Sequence, residues 1–205
     1  MLHLTTVDKN TYAILKKLNT LPFIKNNFAL AGGTSLSLQI GHRMSIDLDF
    51  FSPQPFNIED LKFALETFIG IDFKFISNNT RMLFCYINDI KCDFVHEPAK
   101  LINPFIKLDE VLYYTIEDIA AMKLQTICGR GKRKDFFDIF TLLNIYSWAE
   151  LVTFFEKKYS NSQFVILWRS IAYFEDAEQD FEITGISPYN KSWIDVKNTI
   201  QKNCI

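Results

Sequence analysis

Leu30 to Phe51, LAGGTSLSLQIGHRMSIDLDFF, restricts the possible fold of this chain more than any other stretch. An apolar run ending in Gly32-Gly33 reads as a short strand. Thr34 to Ile40 reads as a helix, and Gly41 is placed to terminate it. Ser45 to Phe51 reads as a second strand. Residues i and i+2 of a strand share a face, so Asp47 and Asp49 are expected side by side, with Leu48 turned to the buried face. Packing alone has little use for a Gly-Gly turn followed by paired carboxylates. Strand, turn, helix and strand together can bring backbone N–H groups and two acidic side chains to one spot.

The rest of the chain reads as two halves. Asp8 caps a helix through Tyr12, Leu15 and Leu18, and Asn57 caps another with Glu59 and Asp60 in its first turn. Three alternating strands follow, IDFKFIS, RMLFCYI and IKCDFVH, the last two joined at Asn88-Asp89. Beyond the loop carrying Pro98 and Pro104 the pattern becomes helical. Thr115 and Asp118 resemble a capping box, and helices are expected over IEDIAAMKLQTIC, DFFDIFTLLNIY, SWAELVTFFEKKY, SQFVILWRSIAYFEDAE and SWIDVKNTIQK. The expected class is α+β, with a mixed-sheet α/β lobe over 1–105 and a helical lobe over 106–205 packed against it. A cleft between two packed lobes is the expected arrangement.

With 205 residues, 48% hydrophobic and 22% charged, the chain has an ordinary globular balance. The net charge is −2, so an anionic partner must be met by a local patch. No run approaches the ~18 apolar residues of a membrane span, and MLHLTTVDKN does not read as a signal peptide. Four cysteines without C-x-x-C spacing argue against a zinc knuckle, and Cys85 and Cys92 are expected as thiols facing each other across a hairpin. A cytoplasmic protein is expected.

Two carboxylates side by side, as expected for Asp47 and Asp49, repel each other unless a cation sits between them. Hard oxygen donors at that spacing suit Mg²⁺ or Mn²⁺ together with substrate phosphate. Gly32 and Gly33 would let the backbone approach a phosphate at a helix N-terminus, and the Thr34 hydroxyl could add a hydrogen bond. Asp93, flanked by Cys92 and Phe94, is a third carboxylate in an apolar strand, where it needs a partner. Sharing a metal with Asp47 and Asp49 would satisfy it, since a two-metal site needs three such carboxylates. Pairing with Lys91 or Arg81 is the structural alternative.

A second cluster lies in MKLQTICGRGKRKDFFDIFTLL. Arg130, Lys132, Arg133 and Lys134 are read as four cations of one loop that, facing the carboxylates, could bind the phosphates of a nucleotide or an RNA backbone. A solvated loop is the alternative. Lys134 and Asp138, four apart on a helix, can orient each other. His42 and Arg43 are expected on the last carbonyls of the preceding helix, outside any metal site. Tyr113, Tyr114, Trp148, Trp168 and Trp193 are read as packing residues.

These two stretches resemble the AbiEii/AbiGii toxin family within the DNA polymerase β-like nucleotidyltransferase superfamily. That family typically carries Leu-x-Gly-Gly-Thr, Gly-His-Arg and Ser-x-Asp-hydrophobic-Asp, matched here by Leu30 to Thr34, Gly41 to Arg43 and Ser45 to Asp49. Lys123-Leu124, Arg130, Lys134-Asp135 and Asp138 match its second motif, and YFEDAEQDF resembles its C-terminal end. The resemblance implies Asp47, Asp49 and Asp93 as metal ligands, with Lys123 and Asp138 also catalytic. It implies Gly32, Gly33, Thr34, Lys123, Arg130 and Lys134 around the nucleotide. The implied reaction moves an NMP from an NTP to an acceptor hydroxyl, with RNA (tRNA) as acceptor, in an abortive-infection, phage-defence toxin with a separately encoded antitoxin. A small-molecule or protein acceptor, or a non-catalytic nucleotide- or RNA-binding module, is the alternative.

Overall fold

The computed structural model describes residues 1–159 and 164–204. The chain forms two compact units, one of Met1–Gly41, Ser45–Ala99 and Pro104–Thr115, the other of His42–Met44, Lys100–Asn103 and Ile116 onward. The sequence placed the division at 105. It falls later because Ile106–Leu108 and Val111–Tyr113 are strands of the first unit's sheet.

In the first unit, α1 (Lys9–Leu18) begins where Asp8 accepts the Asn10 N–H, and α2 (Pro22–Asn27) follows with Pro22 at its start. Then come β1 (Ala29–Ala31), α3 (Gly32–Ile40), β2 (Leu48–Ser52) and α4 (Ile58–Glu66). Gly41 ends α3 in the left-handed conformation at φ 84°, and Asn57 caps α4 by accepting from the Glu59 and Asp60 N–H groups. The sheet is completed by β3 (Phe73–Asn78), β4 (Met82–Ile87), β5 (Ile90–His96), β6 (Ile106–Leu108) and β7 (Val111–Tyr113), in the order β3-β4-β5-β2-β1-β7-β6.

The sheet is mixed: β2 runs antiparallel to β1 and parallel to β5, and β1 runs parallel to β7. Two two-residue turns close hairpins, Asn88-Asp89 at φ 49° and 62° and Asp109-Glu110 at φ 44° and 67°. Positive φ at both central residues matches the twist of the flanking strands. Leu30, Leu48, Phe50, Leu83, Cys85, Cys92, Phe94 and Tyr113 fill the core together with Leu15, Leu18, Leu61 and Leu65. Burying each large side chain contributes about 1.5–3 kcal/mol. Cys85 and Cys92 pair in register as free thiols, and burial raises the Cys85 pKa to about 12.

The second unit is built on α5 (Ile116–Gly129), which packs against α6 (Arg133–Leu142), α7 (Trp148–Lys158) and α8 (Phe164–Ile171). A short α9 (Glu175–Glu178) and α10 (Trp193–Cys204) follow, with α10 against α6. Ser162 and Gln163, read as the start of the fourth C-terminal helix, lie outside the described residues. Ser147 and Glu150 form a reciprocal capping box on α7. The Lys158 ammonium, fully buried, is met by Asp118 at 2.8 Å, and Asp118 also accepts from the Ile102 and Asn103 N–H groups. Trp168 is not a core residue: it is 47% exposed, with its ring edge-on to Trp148.

Candidate active site

Sheet register assembles the first constellation. Ala31 on β1 pairs with Asp49 on β2, and Asp49 pairs with Asp93 on β5. The end of β1, the start of α3 and two carboxylates therefore lie abreast. Asp47 precedes β2 rather than lying within it, and Leu48 between the two aspartates is fully buried as expected.

Gly32, at φ +66°, opens α3, and a Cβ there would stand 2.1 Å from Asp49 Oδ2. Only glycine permits both that backbone conformation and that approach. Thr34 is buried, donates to the Asp47 carbonyl, and lies 2.8 Å from Ser45 Oγ. Its hydroxyl thus fixes the backbone that carries the first aspartate. Gly33 sits in the first turn of α3.

Asp93 is largely buried, and Lys91 Nζ donates to its Oδ2 at 2.6 Å. The structural pairing and the proximity to Asp49 therefore hold together. Burial disfavours the Lys91 charge, but the hydrogen bond and charge of Asp93, then Asp47 and Asp49, outweigh it and raise the Lys91 pKa. All three carboxylates thus act on one ammonium. Asp93 Oδ1 is buried without a hydrogen-bond partner, an expensive state for a carboxylate oxygen that a cation would relieve. The donor set, all hard carboxylate oxygens, fits Mg²⁺ or Mn²⁺. Among the described residues no three acidic, histidine or cysteine side chains already stand in a metal-holding group.

The second constellation is a buried charge network inside the helical unit. Asp138 on α6 is fully buried and takes Arg43 Nε at 2.7 Å and Nη2 at 2.9 Å, His42 Nε2 at 2.7 Å and Lys123 Nζ at 2.6 Å. Lys123 also donates to Asp135 at 2.9 Å. Burial opposes the Asp138 charge, yet Arg43 and Lys123 hold its pKa well below the usual carboxylate range. Burial lowers the His42 pKa, so this imidazole is held neutral. Burial alone would lower the Lys123 pKa, but Asp138 and Asp135 raise it.

His42 and Arg43 are therefore not spent on helix carbonyls. The charge of Asp138, unaffordable alone in the interior, recruits both. Gly185 bridges Arg43, and the Ile186 N–H donates to the His42 carbonyl, so the C-terminal segment brackets the same two residues. The expected basic loop is shorter than read: Gly129 ends α5 and Arg133 opens α6. Arg133 is buried, donating to the Ala177 and Glu178 carbonyls, whereas Arg130 and Lys132 are exposed and Lys134 half-buried. Sequence reasoning offered Lys91 as a pairing partner of Asp93, which the structure shows, but missed Arg43 as the partner of Asp138.

Comparison with known proteins gives the family and the fold. The family described as nucleotidyl transferase AbiEii toxin, type IV toxin–antitoxin system, matches residues 13–185. The chain belongs to that family and is a nucleotidyltransferase. An uncharacterized protein of Aquifex aeolicus is 34% identical over 185 residues, covering 87% of each chain. Among solved structures, the chain is similar in fold to the nucleotidyltransferase toxin MenT4 of Mycobacterium tuberculosis, with TM-score 0.56 and 16% identity over 96% of this chain and 84% of that one. A putative nucleotidyltransferase from Helicobacter pylori is similar with TM-score 0.51 and 17% identity over 95% of both chains. No helix among the described residues is long and apolar enough to cross a membrane.

Proposed function

We propose that this toxin transfers an NMP from an NTP to a hydroxyl of RNA, tRNA foremost, in a phage-defence system whose antitoxin is a separate protein. The observation that carries the reading is the register that sets Gly32, Asp49 and Asp93 abreast. Asp47 and Asp49 would hold Mg²⁺ or Mn²⁺, with Asp93 the third acidic group. A divalent cation bound there would supply charge neutralisation at the triphosphate. The first-turn N–H groups of α3 at Gly32 and Gly33 receive phosphate oxygens, and Thr34 positions Asp47 through its carbonyl.

The acceptor hydroxyl attacks the α-phosphorus in line, its proton passing to Asp93. The bond to the bridging oxygen breaks, and pyrophosphate leaves. Lys123 and Asp138 serve as positioning residues, since each spends its charge on buried partners. Arg130 and Lys134 are the proposed phosphate-binding cations. The exposed Arg130 and Lys132 on an otherwise acidic chain support a polyanionic acceptor.

The test supplies the protein with Mg²⁺, each α-phosphate-labelled NTP in turn, and total bacterial RNA. Label in a tRNA-sized band is the expected result, and the NTP that works gives the base preference. Label on a small molecule or protein with none on RNA would overturn the RNA acceptor.

A further inference from the structure

A cavity of about 210 Å³ lies in the helical unit, walled by Arg133 and Phe137 of α6, Ile183 beyond α9, and Lys191 and Trp193 at the start of α10. None of these residues has a role in the transfer chemistry above. Lys191 and Trp193 also lie past the range matched by the family, residues 13–185.

Arg133 singles this cavity out. A guanidinium cannot shed its charge, and an arginine is almost never buried unless paired. Arg133 is 8% exposed. Its Nε and Nη2 donate to the Ala177 and Glu178 carbonyls, and its guanidinium lies 5.1 Å from the Trp193 ring centroid. Among the described residues Nη1 has no hydrogen bond, and no carboxylate forms an ion pair with this side chain. The acids nearby are spent elsewhere: Asp180 accepts the Arg133 backbone N–H, Glu178 accepts from Trp193 Nε1 and Lys197, and Asp195 accepts from Ser192. Glu182, exposed, is the one acid of the cavity wall among the described residues.

A buried cation without an anion of its own marks a place for one carried by a ligand. Lys191 adds a second positive charge, and the positive end of α10 adds to the same field. At about 30 Å³ per water the space holds about seven waters, more than inorganic phosphate alone would fill. The remaining wall, Phe137, Ile183 and Trp193, suits a flat apolar body such as a nucleobase. We propose that this cavity binds a nucleoside monophosphate, with its phosphate on Arg133 and Lys191 and its base against the apolar wall. The nucleotide is either free or the phosphorylated end of an RNA strand. The inference goes beyond the transfer reading and needs no metal.

AMP is the probe, titrated calorimetrically into the full chain with EDTA present, beside adenosine and a 5′-phosphorylated RNA tetranucleotide. One AMP per chain is expected, with a Kd at or below about 1 mM, and with the same affinity in Asp49→Asn. Adenosine is expected to bind at least about tenfold more weakly, for want of the charged contacts. The same loss for AMP is expected in Lys191→Glu, at an exposed position, and in Arg133→Lys, which keeps the charge but not the planar fork; a thermal melt checks the fold of each. The tetranucleotide binding more tightly than AMP assigns the site to an RNA end, and the reverse assigns it to a free nucleotide; both support it. A folded wild type that takes up no AMP, adenosine binding as tightly as AMP, or AMP binding indifferent to both substitutions overturns the site. AMP binding that disappears in a folded Asp49→Asn places the nucleotide at the carboxylates, which overturns this inference and leaves the transfer reading standing.

Discussion

Gly32 has no side chain to vary and is the most constrained position of the site. Its φ of +66° strains any other residue, and an added methyl would fall 2.1 Å from Asp49 Oδ2. Gly32→Ala is expected to cost about 1–3 kcal/mol of stability through strain. It is also expected to lower transfer by at least about a hundredfold, because a 1 Å misplacement can cost that much. A transfer assay beside a thermal melt would separate the two effects. His42 gives a pH prediction. Its folded pKa is lowered by burial, so the unfolded chain binds the proton more readily. Its contribution is therefore complete above about pH 6.5 and is lost as pH falls toward the folded value. His42→Gln is expected to flatten the loss of urea resistance between pH 7 and 5; an unchanged slope would place that loss elsewhere. The Gly32, Asp47 and Asp49 group was legible because it is local, spread over one strand–helix–strand. The Asp138–Arg43 pair was not, because 95 positions separate its partners and each alone looks like a surface charge.

At the level of elements, local chemistry sets the boundaries more firmly than hydrophobic period does. Asp8, Asn57 and Ser147 all cap helices where their side chains accept backbone N–H groups, and each was readable as such or lay at a helix start. Ser147→Ala removes a reciprocal cap and is expected to lower stability by about 1 kcal/mol, read as a lower urea midpoint with an unchanged slope. No change would mean that packing of α7 alone fixes its start. The β6–β7 hairpin escaped the sequence reading for a physical reason. Its strands have three residues each, and its turn is Asp-Glu rather than the usual Asn-Gly. Contacts from α1 make up the difference: Tyr12 donates to Asp109, Lys16 pairs with Asp109 at 3.0 Å, and Asn19 donates to the Glu110 carbonyl at 2.9 Å. The basic loop was overread for the opposite reason. Arg133 looks like a surface cation in sequence, yet it is buried and donates to the Ala177 and Glu178 carbonyls of the α9 segment.

For the whole molecule, the family match over residues 13–185 takes in the sheet, the paired aspartates and the charge network of the helices. Both constellations therefore lie within the matched range, as does Lys91. Arg43 is linked by only four positions to Asp47, so the network that fixes His42 and Arg43 lies close along the chain to the first aspartate. The central claim is that the site of Asp47, Asp49 and Asp93 performs the transfer. The measurement that tests it most directly compares pyrophosphate release by the wild type and by Asp49→Asn, each supplied with Mg²⁺, NTPs and total RNA and each shown to be folded by its thermal melt. Release by the wild type and a loss of at least about a thousandfold in the variant is the predicted result; a folded Asp49→Asn that releases pyrophosphate at the wild-type rate would contradict the account.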